Sequence, residues 1–252
     1  MADSSSTAQN KKLDDFHESV LSKEPTVRLE CFSALENYLS DVNTSLECED
    51  LTGFINGLVK WIEGSNFRIA CNGLRALELF IDRLDSHEFE CFLDNVVSVT
   101  VDRLGDAKDQ VREAASNLLI KLMITFTPQH IWDLIQPLSF DHKQFRVKEE
   151  SQRLLIRSLN EFGSSAIQLS KLVPLICKLV SDSNGTVRQQ ATDTLVEIYR
   201  HVGDKVRNDI AKRDIPEAKL KQLYEKFDDV VASGRMIAKV TDLTDDGKIY
   251  VI

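Results

Sequence analysis

The sequence predicts an all-α chain built as a solenoid of about six two-helix repeats. Three observations carry this. Apolar residues recur at helical spacing, as in Val111, Ala114, Ala115, Leu118, Leu119, Leu122 and Met123, which form one stripe on a 3.6-residue period. The chain resembles itself when slid by one repeat length. Turn residues are scarce: 10 Gly and 5 Pro in 252 residues are too few for the frequent turns of an all-β sandwich.

Residues 102–119 (DRLGDAKDQVREAASNLL) align with 178–195 (KLVSDSNGTVRQQATDTL), so that Val111 meets Val187, Arg112 meets Arg188 and Leu119 meets Leu195. Fainter copies place Val27, Ile69 and Val147 in the same register. A period near 40 residues made of an outer and an inner helix is the signature of HEAT or armadillo repeats.

The outer helices are expected over 13–22, 49–62, 89–104, 128–138 and 168–181, and the inner ones over 26–40, 66–84, 109–126, 144–162 and 185–202. Pro174 is expected near the start of its helix, where a missing N–H costs little. A sixth pair is expected near 204–213 and 216–233, opened by Pro216 and ended by Gly234. The domain therefore spans 13–234. Residues 1–12 read as a polar, disordered tail, and 235–252 as a tail or the start of a linker. That last segment ends in Ile249, Tyr250, Val251 and Ile252, an apolar run that the repeat does not absorb.

One repeat cannot bury its own apolar face, whereas stacked repeats share a continuous core. Stacking also brings the turns inside each repeat to one edge: KEP (23–25), EGSN (63–66), GDAK (105–108), DHKQ (141–144) and SDSNG (181–185). Around them stand Phe67 and Arg68, Lys108, Lys143 with Phe145, Arg146 and Lys148, and Asn184 with Arg188. Aromatics beside cations suit a partner with an acidic, partly apolar surface. Two structural roles compete with that reading. Asp106–Arg112 and Asp182–Arg188 have the spacing of ion pairs that bridge neighbouring repeats, and Phe67 and Phe145 have the size of core plugs.

Net charge is −9, which lacks the footprint of a nucleic-acid binder, and no apolar run is long enough for a membrane span. The five cysteines are scattered and the N-terminus has no apolar core, which suggests reduced thiols in a cytosolic or nuclear protein. No P-loop, G-x-G-x-x-G, G-x-S-x-G or H-E-x-x-H occurs, and the five histidines are dispersed. The sequence predicts no enzyme, no metal and no cofactor.

The segments DRLGDAKDQVRE (102–113) and LVEIYRHVGDKVRNDI (195–210) strongly resemble the first TOG domain of the CLASP family of microtubule regulators, and FDHKQFR (140–146), LSKLVPLICKLVSDSN (169–184) and KFDDVVASG (226–234) fit as well. The resemblance covers roughly 13–237. It implies a monomeric flat paddle of six HEAT repeats whose turns face αβ-tubulin or the microtubule. It also implies a cytoskeletal location and service to the mitotic spindle and kinetochore, with no catalysis. Tubulin-binding relatives usually carry a Trp in the first turn, just before the x-x-Arg that opens the inner helix; here Pro25 stands at that place. Two readings stay open: a tubulin-binding module, or a structural adaptor for kinetochore or intramolecular contacts.

Overall fold

The computed structural model describes residues 11–237. A 3-10 turn at Leu13–Phe16 runs into α1 (His17–Leu21). There follow α2 (Pro25–Ser40), α3 (Leu51–Glu63), α4 (Phe67–Ile81), α5 (Ser86–Glu90), α6 (Leu93–Arg103), α7 (Asp109–Phe126), α8 (Pro128–Ser139) and α9 (Phe145–Phe162). After a second 3-10 turn at Ser164–Ala166 come α10 (Leu169–Leu179), α11 (Gly185–Val202), α12 (Asp204–Ile210) and α13 (Glu217–Ala232). No strand occurs among the described residues. The fold is an all-α array of two-helix repeats. It divides into two compact units, one ending at Thr100 and the other starting at Val101, a boundary that falls inside α6.

In the first unit, α3 packs on α1 and α4. Gly57 permits the approach of α1, since a Cβ there would lie 2.8 Å from Val20 Cγ1 and 2.9 Å from Leu21 Cδ2. Trp61 is fully buried beside it and donates its indole N–H to the Val20 carbonyl at 2.8 Å. The guanidinium of Arg83 holds the loop after α2, reaching the Leu39 carbonyl at 3.2 Å and Thr44 Oγ1 at 2.9 Å. Of the repeat anchors, Val27 is half-buried, whereas Ile69 is buried.

The sequence predicts one helix over 89–104; the structure has two, α5 and α6. Asp85 caps a separate short helix by accepting from the His87 N–H at 2.8 Å. The break after Glu90 lets Phe89 and Phe92 both turn inward, edge to face at 6.0 Å. Burying two rings outweighs the continuity of one helix.

In the second unit the predicted stripes are the core. Val111, Ala115, Leu118, Leu119, Leu122 and Met123 of α7 are buried, as are Val187, Ala191, Thr194, Leu195, Ile198 and Tyr199 of α11. Trp132 is buried on α8, with its N–H directed to Ser158 Oγ at 3.3 Å. Tyr199 stacks flat on Phe227 at 4.2 Å, joining α11 to α13. Gly203 ends α11 at φ 59°, a left-handed conformation that favours glycine.

Pro174 corrects the sequence reading: α10 begins at Leu169, so Pro174 lies inside the helix. The carbonyl it leaves without a helical partner belongs to Ser170, an exposed residue. The predicted N-terminal tail overlaps the structure at Lys11 and Lys12; the Lys12 N–H donates to Asp15 at 2.9 Å. Residues 1–10, and 238–252 of the predicted C-terminal tail, lie outside the described residues.

Candidate functional site

The turns share one construction. The side chain two residues before the helix N-cap accepts the N-cap N–H: Ser22 Oγ from Glu24 at 3.1 Å, Asp106 Oδ1 from Lys108 at 2.8 Å, His142 Nδ1 from Gln144 at 3.1 Å, and Asp182 Oδ1 from Asn184 at 2.8 Å. Such side-chain bonds replace the backbone partners that a turn lacks. Gly64 holds this place in the second turn and has no side chain to offer. There the N-cap Asn66 accepts from Arg68 N–H at 3.0 Å and Ile69 N–H at 3.4 Å.

The fourth residue of the inner helix closes the turn from the other side. Arg28 Nε donates to the Ser22 carbonyl at 2.6 Å, Arg112 Nη1 to the Asp106 carbonyl at 2.8 Å, and Arg188 Nη1 to the Asp182 carbonyl at 2.7 Å. Ion pairs bridging repeats were expected from the Asp106–Arg112 and Asp182–Arg188 spacing. The bond instead stays within one turn and uses the backbone carbonyl, because six residues back is one tight turn away. The aspartate side chains are thereby left for other partners. Asp106 meets Arg103 at 3.1 Å.

Asp182 receives Lys148 Nζ at 2.6 Å, which ties the fourth turn to the fifth. Burial works to raise the Asp182 carboxyl pKa. The Lys148 ammonium and the Asn184 N–H outweigh burial, so the carboxyl titrates below its ordinary value. Arg112 Nε also lies 3.4 Å from Glu150, whose carboxyl is nonetheless raised by burial. Thr186 Oγ1 donates to Glu149 at 3.0 Å. The third, fourth and fifth turns are thus laced side by side within the second unit.

The predicted site residues now divide by environment. Asn184 caps α11, accepting from Thr186 and Val187 N–H groups at 2.9 and 3.3 Å, and Arg188 clips its own turn. Both are half-buried. Lys108, Lys143 and Arg68 are exposed. Phe67 and Phe145 open α4 and α9: Phe145 is 36% exposed, whereas Phe67 is half-buried. Each carries a cation over its ring, Arg68 at 5.8 Å and Arg146 at 5.2 Å from the centroid. Pro25 occupies the same first helical position of α2, so the three are equivalent in the repeat.

Two contributors were not singled out from sequence. Lys23 is exposed one residue before its N-cap, as Lys143 is before Gln144. Arg28 repeats the clip of Arg188. The repeat register was the available signal for both.

Among the described residues no group of three or more His, Cys, Asp or Glu is arranged to hold a metal ion. No helix among them is long and apolar enough to cross a membrane. The turns carry exposed ammonium and guanidinium groups, and Phe67 and Phe145 each stand beside a guanidinium at their own turn.

Comparison with known proteins agrees with the architecture. Residues 16–227 match the family model described as XMAP215/Dis1/CLASP, TOG domain. Over 221 residues, 85% of the chain, the sequence is 41% identical to CLIP-associating protein 1 of Xenopus tropicalis; over 228 residues it is 36% identical to the CLIP-associating protein of Drosophila melanogaster. In each case the match spans about 15% of the relative's length. The crystal structure of the MAST/Orbit N-terminal domain superposes with a TM-score of 0.82 at 36% identity, covering 88% of this chain and 99% of that one. With the periodic core, the clipped turns and these matches together, the chain belongs to the XMAP215/Dis1/CLASP family of TOG domains.

Proposed function

We infer that this domain is a non-catalytic microtubule-regulating module that binds αβ-tubulin, as dimer or lattice, through the turns inside its repeats. The observation that carries the reading is the exposed Phe145–Arg146 pair beside Lys143, at the turn position where the family resemblance expects the partner. The net charge of −9 opposes an acidic partner at long range, so attraction comes from the local cations. Spindle and kinetochore service, and a cytoskeletal location, follow from the same reading. A monomer with the domain spanning 13–234 completes it.

Pro25 supports a second reading. A proline at the first turn supplies no aromatic anchor, and buried aromatics dominate interface energy. The domain then serves as an adaptor with little tubulin affinity. Mixing the purified chain with αβ-tubulin on size exclusion, at low and physiological salt, separates the two. Tubulin binding predicts a complex at low salt that weakens with screening over about 8 Å. Its dissociation constant would be about micromolar or weaker. Absence of a complex at both salts selects the adaptor.

A further inference from the structure

The alignment of 102–119 with 178–195 brings two grooves of the second unit into register. One runs between α7 and α9, about 450 Å³ in volume, and its lining includes Asp109, Arg112, Glu113, Ser116 and Glu150. The other runs between α11 and α13, about 270 Å³, and its lining includes Gly185, Arg188, Gln189, Thr192, Lys219 and Gln222. Arg112 and Arg188 are equivalent, as are Ser116 and Thr192. The acids are not carried over. Gly185 stands in the place of Asp109 and Gln189 in the place of Glu113. From the facing helix, α9 supplies Glu150, whereas α13 supplies Lys219 and Gln222.

The exchange leaves charge unbalanced. Arg112 meets the protein's own carboxylates, Asp109 at 2.5 Å and Glu150 at 3.4 Å. Arg188 uses Nη1 on the Asp182 and Ser183 carbonyls, and it meets no carboxylate among the described residues. Lys219 Nζ donates to the Val180 carbonyl at 2.7 Å and lies 3.5 Å from Ser181 Oγ, again with no carboxylate among the described residues. Two acids of the same turn and helix are committed elsewhere: Asp182 to Lys148, and Asp193 to the Gln189 amide at 2.9 Å. Two half-buried cations therefore flank one groove uncompensated, in a chain of net charge −9. Gly185 leaves the guanidinium open, since even a Cβ there would stand 3.6 Å from Arg188 Nη2. The Lys219 bonds hold α13 against the start of the fifth turn, so the groove opens beside that turn.

We propose that the groove between α11 and α13 is a recess for an acidic side chain of the partner, whose carboxylate is held by Arg188 and Lys219. This rests on the tubulin reading, and it extends the contact surface from the fifth turn onto α13 of the sixth repeat. A carboxylate from outside supplies what Asp109 and Glu150 supply to Arg112 from within. Charge-assisted bonds to a guanidinium and an ammonium are stronger than neutral ones, and partial burial reduces their screening. The exposed Gln222 amide adds a neutral donor at the rim. The α7–α9 groove, which holds its own acids, has no such vacancy of charge and takes no carboxylate.

The test puts the missing acids back. Gly185→Asp with Gln189→Glu rebuilds the lining of the α7–α9 groove, and an aspartate in the first turn of a helix is favourable, so the variant is expected to melt no lower than the parent. Hexaglutamate is titrated into the whole chain and followed by NMR at the Arg188 Nε–H and the Gln222 side-chain amide. The parent is expected to show saturable shifts, and the rebuilt variant to bind the peptide at least about five-fold more weakly. In the rebuilt variant without peptide, the Arg188 signal is expected close to its position in the peptide-saturated parent, which repulsion alone does not produce. Lys221→Glu is the control: it is exposed on α13 outside the groove, changes the net charge by the same amount, and is expected to bind the peptide within about two-fold of the parent. No shifts in the parent, or equal weakening by the rebuilt variant and the control, overturns the site. Tubulin binding is measured on the same proteins, with about a ten-fold loss expected for the rebuilt variant. Equal tubulin binding by parent and rebuilt variant overturns the groove's part in that contact. A parent that takes the peptide but no tubulin overturns the tubulin reading and leaves the carboxylate site standing.

Discussion

Arg188 reaches back six residues to fasten its own turn, its Nη1 donating to the Asp182 carbonyl at 2.7 Å and to the Ser183 carbonyl at 2.8 Å. Arg112 does the same with Asp106, and Arg28 with Ser22. The arginine at the fourth position of the inner helix is therefore a structural part of the turn it stands beside. A change at this position acts on the turn itself.

Arg188→Ala is expected to cost about 1–2 kcal/mol, since two charge-assisted bonds are lost, one to the part-buried Asp182 carbonyl and one to the exposed Ser183 carbonyl. Arg188→Lys is expected to recover only part of this, because a single ammonium lacks the guanidinium fork. Urea denaturation of the three proteins reads both effects. Equal midpoints would show that water replaces the clip at no cost.

Leu119 and Leu195 occupy equivalent positions in two repeats, and both are completely buried. Leu119→Ala or Leu195→Ala is expected to lower stability by about 2–5 kcal/mol through lost burial and a residual cavity. Thermal melts within a degree of the parent would contradict the register assigned to α7 and α11.

The Lys148–Asp182 pair makes stability depend on pH. The folded Asp182 carboxyl titrates below its unfolded value of about 3.9. Its contribution is therefore complete above about pH 5 and is lost as pH falls through the depressed value. Asp182→Asn is expected to be less stable than the parent at pH 7. The gap should narrow as pH falls below about 4, as followed by urea denaturation at several pH values.

For the turns themselves, Lys108→Glu with Lys143→Glu is expected to abolish tubulin binding, by removing attraction and adding repulsion. Phe145→Ala is expected to weaken it severely without changing its salt dependence. Both side chains altered in the double variant are exposed, so its melting temperature should stay within about 2 °C of the parent. Unchanged, salt-independent binding by the double variant would place the contact elsewhere on the domain.

The sequence by itself determined the repeat and its core. Val111, Leu119, Val187 and Leu195 recur at a helical period inside a longer period near 40 residues, and every such position must face a neighbouring helix to leave water. The turns were legible for the same reason, as the polar gaps between periodic stretches. Tertiary structure alone decided what the turn residues do. Asn184 and Arg188 look like surface polar groups in the sequence, yet their atoms fall within bonding distance of backbone groups that the turn leaves unpaired. Phe67 and Phe145 look like core residues, yet at the first helical position Phe145 stands exposed and Phe67 half-buried, each beside a guanidinium. The break between α5 and α6 was likewise hidden, because Ser86–Glu90 is too short to show a period of its own and only the joint burial of Phe89 and Phe92 separates it from α6. Periodicity reports which face of a helix is buried; which polar group meets which depends on distances between atoms that the pattern does not contain.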